Sequence, residues 1–386
     1  MSATPLKLGV LGVGMIATVD YGVLPNLGLI QDDVEITAVA DPLLDRAQQV
    51  ARDYGVPKAF ATLEEMLDGA EMDAVLNLTP IPLHGESSRI ILEAGKHLAM
   101  EKPLATSMED ADAILEIAAS KGLSVVVSPP NMLMPTRSEA RRMVADGVIG
   151  KVAFARVRAS HGGPASGAWP NDPTWFYQKG SGPLFDMGVY GIHEITGILG
   201  PAKRVVAFSG ITEPVRTVRG GPFKGKLIDV TADDNTLLML DFGGSTFAVV
   251  DGTFNVNAAK SPKIEIFGRE GTINIGDGRS ESAALEVFRL DAVPGLSGWI
   301  QPTLREQAAT QRRMASLKRA VLVDHLLDCV AGKPNVLSGE HARHALEIML
   351  KADESARTGR ALDLTTTFAV GGEEARPAIA QAAGER

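Results

Sequence analysis

Leu6-Lys7-Leu8-Gly9-Val10-Leu11-Gly12-Val13-Gly14-Met15-Ile16-Ala17 decides the fold: an apolar run that reads as a strand, a Gly-x-Gly-x-x-Ala turn, then the opening of a helix. Glycine at 12 and 14 lets the backbone approach a pyrophosphate, and a helix start presents N–H groups with no partner inside the helix. Such a turn is common by itself. Its weight comes from the second strand pattern, Val34 to Ala40, which ends at Asp41. A carboxylate there can accept hydrogen bonds from an adenosine ribose. The same charge would repel a 2′-phosphate, so NAD is expected rather than NADP. The alternative is a tight turn of small residues with Asp41 as a surface cap.

Outward from this turn, short β-branched runs alternate with helical patterns as far as residue 128. Strands are predicted at Leu6–Gly12, Val34–Ala40, Ala59–Phe60, Ala74–Leu78, His97–Met100 and Ser124–Val127. Thr62 with Glu65, and Ser107 with Asp110, have capping-box spacing and mark helix starts. This alternation predicts an α/β, doubly wound, Rossmann-type dinucleotide-binding domain over residues 1–128.

After Pro129 and Pro130 the pattern changes to longer, alternating strands at Val152–Ala159, Arg204–Phe208, Asn235–Asp241, Thr246–Thr253 and Lys263–Phe267. Gly243-Gly244 makes the two strands around 241–245 a hairpin. Helices are predicted at 138–146, 188–199, 304–330 and 339–357. Residues 129–368 thus read as an α+β domain around an open, mainly antiparallel sheet. Residues 369–386 lose apolar periodicity and read as a flexible tail. Residues 161–182, rich in Gly, Pro and Trp, form a long loop of the length that usually carries function.

Composition narrows the function. The chain has 386 residues, 45% hydrophobic, and its 38 basic against 47 acidic side chains leave a formal charge of -9, which argues against general affinity for nucleic acid or anionic membrane. No segment gives 18 uninterrupted apolar residues, and the start, Met-Ser-Ala-Thr-Pro, lacks the regions of a secretory signal. A cytoplasmic protein is expected. The single cysteine, Cys329, lies in an apolar run and reads as a buried small hydrophobe.

In an open parallel sheet the ligand crevice lies beyond the carboxyl ends of the strands. Asn77-Leu78-Thr79-Pro80 ends the fourth strand, His84 opens the next helix, and Glu101-Lys102-Pro103 ends the fifth. A lysine beside a nicotinamide ring is partly desolvated and near the ring's positive charge. Both effects lower its pKa from about 10.4 toward the range useful for proton transfer. Lys102 could then relay the hydroxyl proton as hydride leaves the carbinol carbon; the alternative is a solvated lysine paired with Glu101. In Gly180–His193, Asp186, Tyr190 and His193 recur at i, i+4 and i+7, a polar row on a helix face that is otherwise apolar.

Other features carry less. Trp169 and Trp175 could stack on a sugar face or pack the long loop onto the sheet. Arg305, Arg312, Arg313, Lys318 and Arg319 read as a solvated face or a subunit contact rather than an anion site. His325, His341 and His344 have no assigned role. No metal is expected: His84, His161 and His193 lie in separate segments, and hydride transfer from a secondary alcohol needs none if a protein base is present.

Together these motifs resemble the glucose-fructose oxidoreductase and inositol dehydrogenase family, Gfo/Idh/MocA, over about Lys7 to Leu364. The resemblance rests on GVGMIA, on Asp41 with Arg46, on the run from Thr79 to Ala105 that contains Glu101-Lys102-Pro103, on GSGPLFDMGVYGIH and on the closing ESARTGRALDL. It implies a Rossmann domain, a C-terminal domain whose open sheet often forms oligomer contacts, here a homodimer or homotetramer, and NAD(P)-dependent oxidation or reduction of sugars, polyols or related cyclic alcohols. It also implies that Lys102 is catalytic with Asp186 in support, and that Pro103 follows a cis peptide bond. Tyr190 stands where inositol dehydrogenase-like members have His, which is similar to the glucose-fructose oxidoreductase and dihydrodiol dehydrogenase branch. The acid/base is then Tyr190 assisted by Lys102, or Lys102 itself. Met132 replaces an Arg or His found in many members, so a polar substrate contact is missing there.

The expected cofactor contacts are Gly12, Gly14, Met15, Ile16, Asp41, Arg46, Thr79, Pro80, His84, Glu101 and Lys102. The expected substrate contacts are Lys102, Asp186, Tyr190, His193 and Trp175. Two rival functions remain beside a dehydrogenase: a redox-neutral enzyme with tightly bound NAD, as in glycosidase relatives, and a non-catalytic NAD-sensing regulator. Retention of Lys102 and Asp186 argues against the sensor.

Overall fold

The computed structural model describes residues 4–276, 284–302, 304 and 307–370. The expected tail lies outside them from 371 onward, as does Arg305. In chain order, the first part runs β1 (Leu6–Leu11), α1 (Met15–Thr18), β2 (Val34–Ala40), α2 (Leu44–Tyr54), β3 (Ala59–Phe60), α3 (Leu63–Gly69), β4 (Ala74–Asn77), α4 (His84–Glu93), β5 (His97–Met100), α5 (Met108–Lys121) and β6 (Val125–Val127). It continues with α6 (Pro135–Ala145), β7 (Val152–Arg158), α7 (Val189–Leu199), β8 (Arg204–Gly210), β9 (Val215–Thr217), β10 (Leu227–Asp229), β11 (Asn235–Gly243), β12 (Thr246–Thr253), β13 (Ile264–Gly268), β14 (Gly271–Ile275), β15 (Leu285–Val293) and β16 (Leu296–Ile300). Last come α8 (Gln307–Leu317), α9 (Val321–Val330), α10 (Gly339–Thr358) and β17 (Leu362–Asp363).

These elements form two compact units, one holding described residues up to 135 together with 307–346, the other 136–304 with 347–370. A division at 128/129 has no place for the return of α8 and α9 to the first unit.

The first unit is a six-stranded parallel sheet in the order β3-β2-β1-β4-β5-β6. Its strands are continuously apolar because helices cover both faces: Leu8, Val10, Val39, Leu76, Leu98 and Val126 are fully buried. Chain order reverses between β1 and β4, so the carboxyl ends of those strands open a crevice. Both predicted caps form, Thr62 Oγ1 accepting the Glu65 N–H at 3.2 Å and Ser107 Oγ the Asp110 N–H at 3.1 Å. Glu65 reaches one residue further back than a capping box requires, to the Ala61 N–H at 3.1 Å.

Two expected helices are corrected. The helix after the glycine turn is a single turn, Met15–Thr18, because Val19 is already extended. The predicted helix over 304–330 breaks into α8 and α9 at a 3-10 turn, Lys318–Ala320, where Lys318 has φ +48°. The apolar period continues across this break, so periodicity alone could not reveal it.

The second unit is built on a nine-stranded sheet, β16-β15-β14-β13-β7-β12-β11-β8-β17, antiparallel throughout except for the β12–β7 pair. The hairpin at 241–245 forms, with Gly243, Gly244 and Ser245 all at positive φ. Helix α7 lies close on β7 and β12: a Cβ at Gly191 would stand 2.9 Å from Ala159 and 3.0 Å from Val157 and Val250. The strands β9, β10 and β14 to β17 were not predicted. Several are short, and β15 and β16 are half exposed, so they lack a clean alternating signal.

Residues 161–182 are no open loop. Phe176 and Tyr177 join Val218, Ile228, Val230 and Phe254 in a small core of their own, with Trp169 against it. Tyr177 Oη accepts the Ala165 N–H at 3.0 Å. No helix among the described residues is long and apolar enough to cross a membrane.

Candidate active site

In the first unit, the carboxyl ends of β2, β1, β4 and β5 bring four sequence motifs to one edge of the sheet. Gly12 has φ +85°, and a Cβ there would lie 2.8 Å from the Leu78 carbonyl oxygen, so both conformation and space demand glycine. At Gly14 an added Cβ would meet nothing within 4 Å. The turn is thus braced on its inner side and open on its outer side, which fits a cradle for a dinucleotide pyrophosphate.

Asp41 is 1% exposed, which overturns the surface-cap alternative. Its carboxylate accepts the Val13 N–H at 3.1 Å and the Leu43 N–H at 2.9 Å, and Arg46 Nη2 stands 2.6 and 2.7 Å from its two oxygens. It locks the glycine turn to the end of β2 and carries Arg46, whose side chain is 44% exposed, on its outer side. A ribose hydroxyl approaching Asp41 would therefore compete with Arg46, because a carboxylate has only about four acceptor positions.

Asn77, fully buried, fixes the end of β4. Its amide donates to Ser87 Oγ at 2.8 Å and Ser88 Oγ at 3.2 Å, while its oxygen accepts the Thr79 N–H at 3.2 Å and hydroxyl at 2.7 Å. His84, 1% exposed, has Nδ1 2.6 Å from Pro103 O and Nε2 2.9 Å from Thr79 O. The ring thus ties the end of β4 to the loop after β5, and both nitrogens are turned to the protein's own backbone. Burial pushes its pKa down. His84 was expected to touch cofactor; its geometry is that of a brace under Thr79 and Pro103.

Glu101 and Lys102 are both half-buried, and the Lys102–Pro103 peptide bond is cis, as the resemblance implies. Glu101 Oε2 accepts the Lys102 backbone N–H at 3.3 Å. Glu101 Oε1 is ion-paired with Arg319 Nη1. Arg319 thereby leaves the solvated basic face to which the sequence assigned it. Arg313 pairs with Asp324, and Lys318 Nζ donates to Asp20 O at 2.7 Å. No short-range signal links Arg319 with Glu101, which are 218 residues apart.

In the second unit, Leu184–Gly188 form a π-turn that runs into α7. Asp186 sits inside this wider turn and Tyr190 one turn on; both are half-buried, whereas His193 is 5% exposed. The row expected from α-helical spacing therefore divides: two residues reach the surface of the unit and His193 enters its core. Trp175 is 46% exposed and lies over Phe176 with ring centroids 4.3 Å apart. Met132 is buried.

Beneath Tyr190, Glu194 is fully buried. Its Oε1 lies 3.0 and 2.8 Å from Arg137 Nε and Nη2 and 3.0 Å from Lys263 Nζ, which stands 2.8 Å from Oε2. Sequence reading missed this triad because α6, α7 and the start of β13 meet only in three dimensions. Among the described residues no group of acidic, His and Cys side chains could hold a metal. Cys329 is buried and its thiol pushed up to about 12 by burial; His325 accepts the Val336 N–H at 3.1 Å, a structural role.

A family model described as oxidoreductase family, NAD-binding Rossmann fold matches residues 6–128, and one described as GFO/IDH/MocA C-terminal domain matches 138–274. The chain is 25% identical to scyllo-inositol 2-dehydrogenase (NAD(+)) of Bacillus subtilis, over 93% of this chain and 96% of the relative. It is 29% identical to levoglucosan dehydrogenase of Pseudarthrobacter phenanthrenivorans, over 62% of this chain and 64% of the relative. Among solved structures, an apo form of levoglucosan dehydrogenase superposes with a TM-score of 0.81 at 21% identity, covering 95% of this chain and 100% of that one.

Proposed function

Because the chain belongs to the Gfo/Idh/MocA oxidoreductase family, we propose that it is an NAD-dependent dehydrogenase acting on a secondary hydroxyl of a sugar or polyol ring. The observation that carries this reading is the convergence of the open glycine turn, Asp41 and the Glu101-Lys102-Pro103 loop at the carboxyl ends of adjacent strands. The substrate class is supported by the relatives, which are named for a cyclic polyol and an anhydrosugar.

In this reading Gly12, Gly14, Met15 and Ile16 hold the pyrophosphate, Asp41 and Arg46 the adenosine ribose, and Thr79 and Pro80 flank the nicotinamide. Nicotinamide, when bound, supplies the hydride acceptor for oxidation and the donor for reduction. Lys102 takes the hydroxyl proton, His84 ties the Pro103 carbonyl beside it to that of Thr79, and Asp186 and Tyr190 orient the reacting hydroxyl. The test is a panel of sugars, inositols and polyols followed at 340 nm with NAD and NADP in parallel; no turnover with any of them, against retained NADH binding, would favour the regulator. Stoichiometric cofactor in the purified protein without net NADH release would favour the redox-neutral reading.

Cofactor preference gives a sharper prediction. Asp41→Ser removes the ribose acceptor and the repulsion of a 2′-phosphate while leaving Arg46 to meet one. Expected are a fall of about tenfold to a hundredfold in kcat/KM with NAD and a rise with NADP, from a loss of roughly 1.5–3 kcal/mol for a hydrogen bond to a charged group. An unchanged ratio of the two would remove Asp41 from the ribose.

The partner proposed is a second copy of the chain. On one face of the large sheet, Phe267, Phe154 and Phe247 lie in register across β13, β7 and β12. Leu237 pairs with Phe208 and Met239 with Val249 beside them. Phe208 is 81% exposed, and contiguous apolar surface of this kind marks an interface. Leu237→Asp with Met239→Asp is expected to convert a dimer or tetramer to smaller species in light scattering; an unaltered mass would place the contact elsewhere.

A further inference from the structure

The turn Lys318–Ala320 grips two functional loops of the first unit. Lys318 Nζ donates to Asp20 O at 2.7 Å, and the Arg319 backbone N–H to Tyr21 O at 3.4 Å, on the segment that follows the glycine turn. The Arg319 guanidinium reaches Glu101, whose other oxygen holds the Lys102 N–H. Only 13% of the Glu101 side chain and 27% of that of Arg319 is exposed, so water screens the pair weakly.

A carboxylate on the residue next to an amine favours the ammonium form, which cannot accept a proton. A guanidinium fixed on that carboxylate cancels its charge. One other titratable group in the same unit bears on Lys102: the buried His84 ring, whose burial favours the neutral form while the Pro103 and Thr79 carbonyls on its two nitrogens favour the charged one.

We propose that Arg319 is a positioning residue for Lys102, acting through Glu101: it holds and neutralises the carboxylate, so that the amine beside it is available to accept a proton. This rests on the reading of Lys102 as the proton-handling group. It gives the return of α8 and α9 to the first unit a chemical purpose, since the turn between those helices supplies the counter-charge.

The test reads the amine directly in the full chain. Pulse acetylation with sulfo-NHS-acetate across neutral to alkaline pH, with the Lys102 peptide quantified by mass spectrometry, gives the midpoint of its deprotonation. In Arg319→Met that midpoint is expected to rise by about one pH unit, with labelling at neutral pH falling about tenfold. Glu101→Gln moves it down, the double variant returns it near the wild-type value, and Arg319→Lys leaves it close to wild type. The acid-side limb of kcat for oxidation, which rises as Lys102 loses its proton, should follow the same order. An unmoved midpoint in Arg319→Met, or a double variant identical to that single, overturns the proposal. Should Arg319→Met fail to fold, the downward shift in Glu101→Gln is still required, and its absence has the same force. Undiminished turnover in Lys102→Met would instead sink the underlying reading, which the labelling experiment leaves untouched.

Discussion

Lys102→Met should lower kcat by about a hundredfold to ten-thousandfold, the usual contribution of a positioned proton acceptor, while NADH binding followed by nicotinamide fluorescence stays near wild type. Methionine keeps the length and much of the apolar stem of lysine but has no site for a proton. Lys102→Arg separates charge from proton transfer. A guanidinium keeps the positive charge yet cannot be deprotonated in a protein. If Lys102 accepts the proton, arginine is as inactive as methionine; if it supplies only a field, arginine retains much of the rate. Tyr190→Phe completes the comparison: a loss as large as that of Lys102→Met makes the tyrosine the immediate acceptor with Lys102 behind it, and a small loss leaves the amine alone in that role. Turnover undiminished in Lys102→Met would remove the central assignment.

The first unit was legible in the sequence because its signals are local. Asp41 and Arg46 lie five residues apart and Asn77 and Thr79 two, so their hydrogen bonds sit within one strand end and its following turn. The cap at Thr62 and the hairpin at Gly243-Gly244 are local in the same sense. What escaped was long-range or half-exposed. Arg319 looked like surface charge because its partner is far off in sequence, and β15 and β16 expose Leu290, Leu296 and Trp299, which blurs their alternation. The polar row at Asp186, Tyr190 and His193 was found by its spacing, but spacing assumes an α-helix. The π-turn at 184–188 changes the phase between Asp186 and Tyr190, and beyond Tyr190 every residue of α7 is buried, so His193 goes inward. The same all-round burial puts Glu194 in the core, where a sequence reading would not place an isolated carboxylate.

That carboxylate predicts the largest loss of stability. Glu194→Ala leaves Arg137, 8% exposed, facing Lys263 across an empty site with no counter-charge, and removing one partner of a buried ion group costs about 3–5 kcal/mol. For a unit of this size that corresponds to a fall of roughly 10 °C in the melting midpoint. Lys263 can relieve part of the strain by turning its 20% exposed side chain to solvent; Arg137 is held against Thr136 Oγ1 at 3.0 Å and has less freedom. Replacing Glu194 and Arg137 together by leucine and methionine should therefore recover much of the loss. The dependence on pH has a definite sign. Lys263 and Arg137 hold the Glu194 carboxyl below its ordinary value of 4.5 against the opposing effect of burial. Its contribution is present in full above that value and disappears as the pH falls through the lowered one. The difference in stability between the wild type and Glu194→Gln, measured by calorimetry, should accordingly be constant near neutrality and shrink in acid. A difference that grew on acidification, or a melting midpoint unmoved by Glu194→Ala, would show that the three charges do not hold α6, α7 and the edge of β13 together.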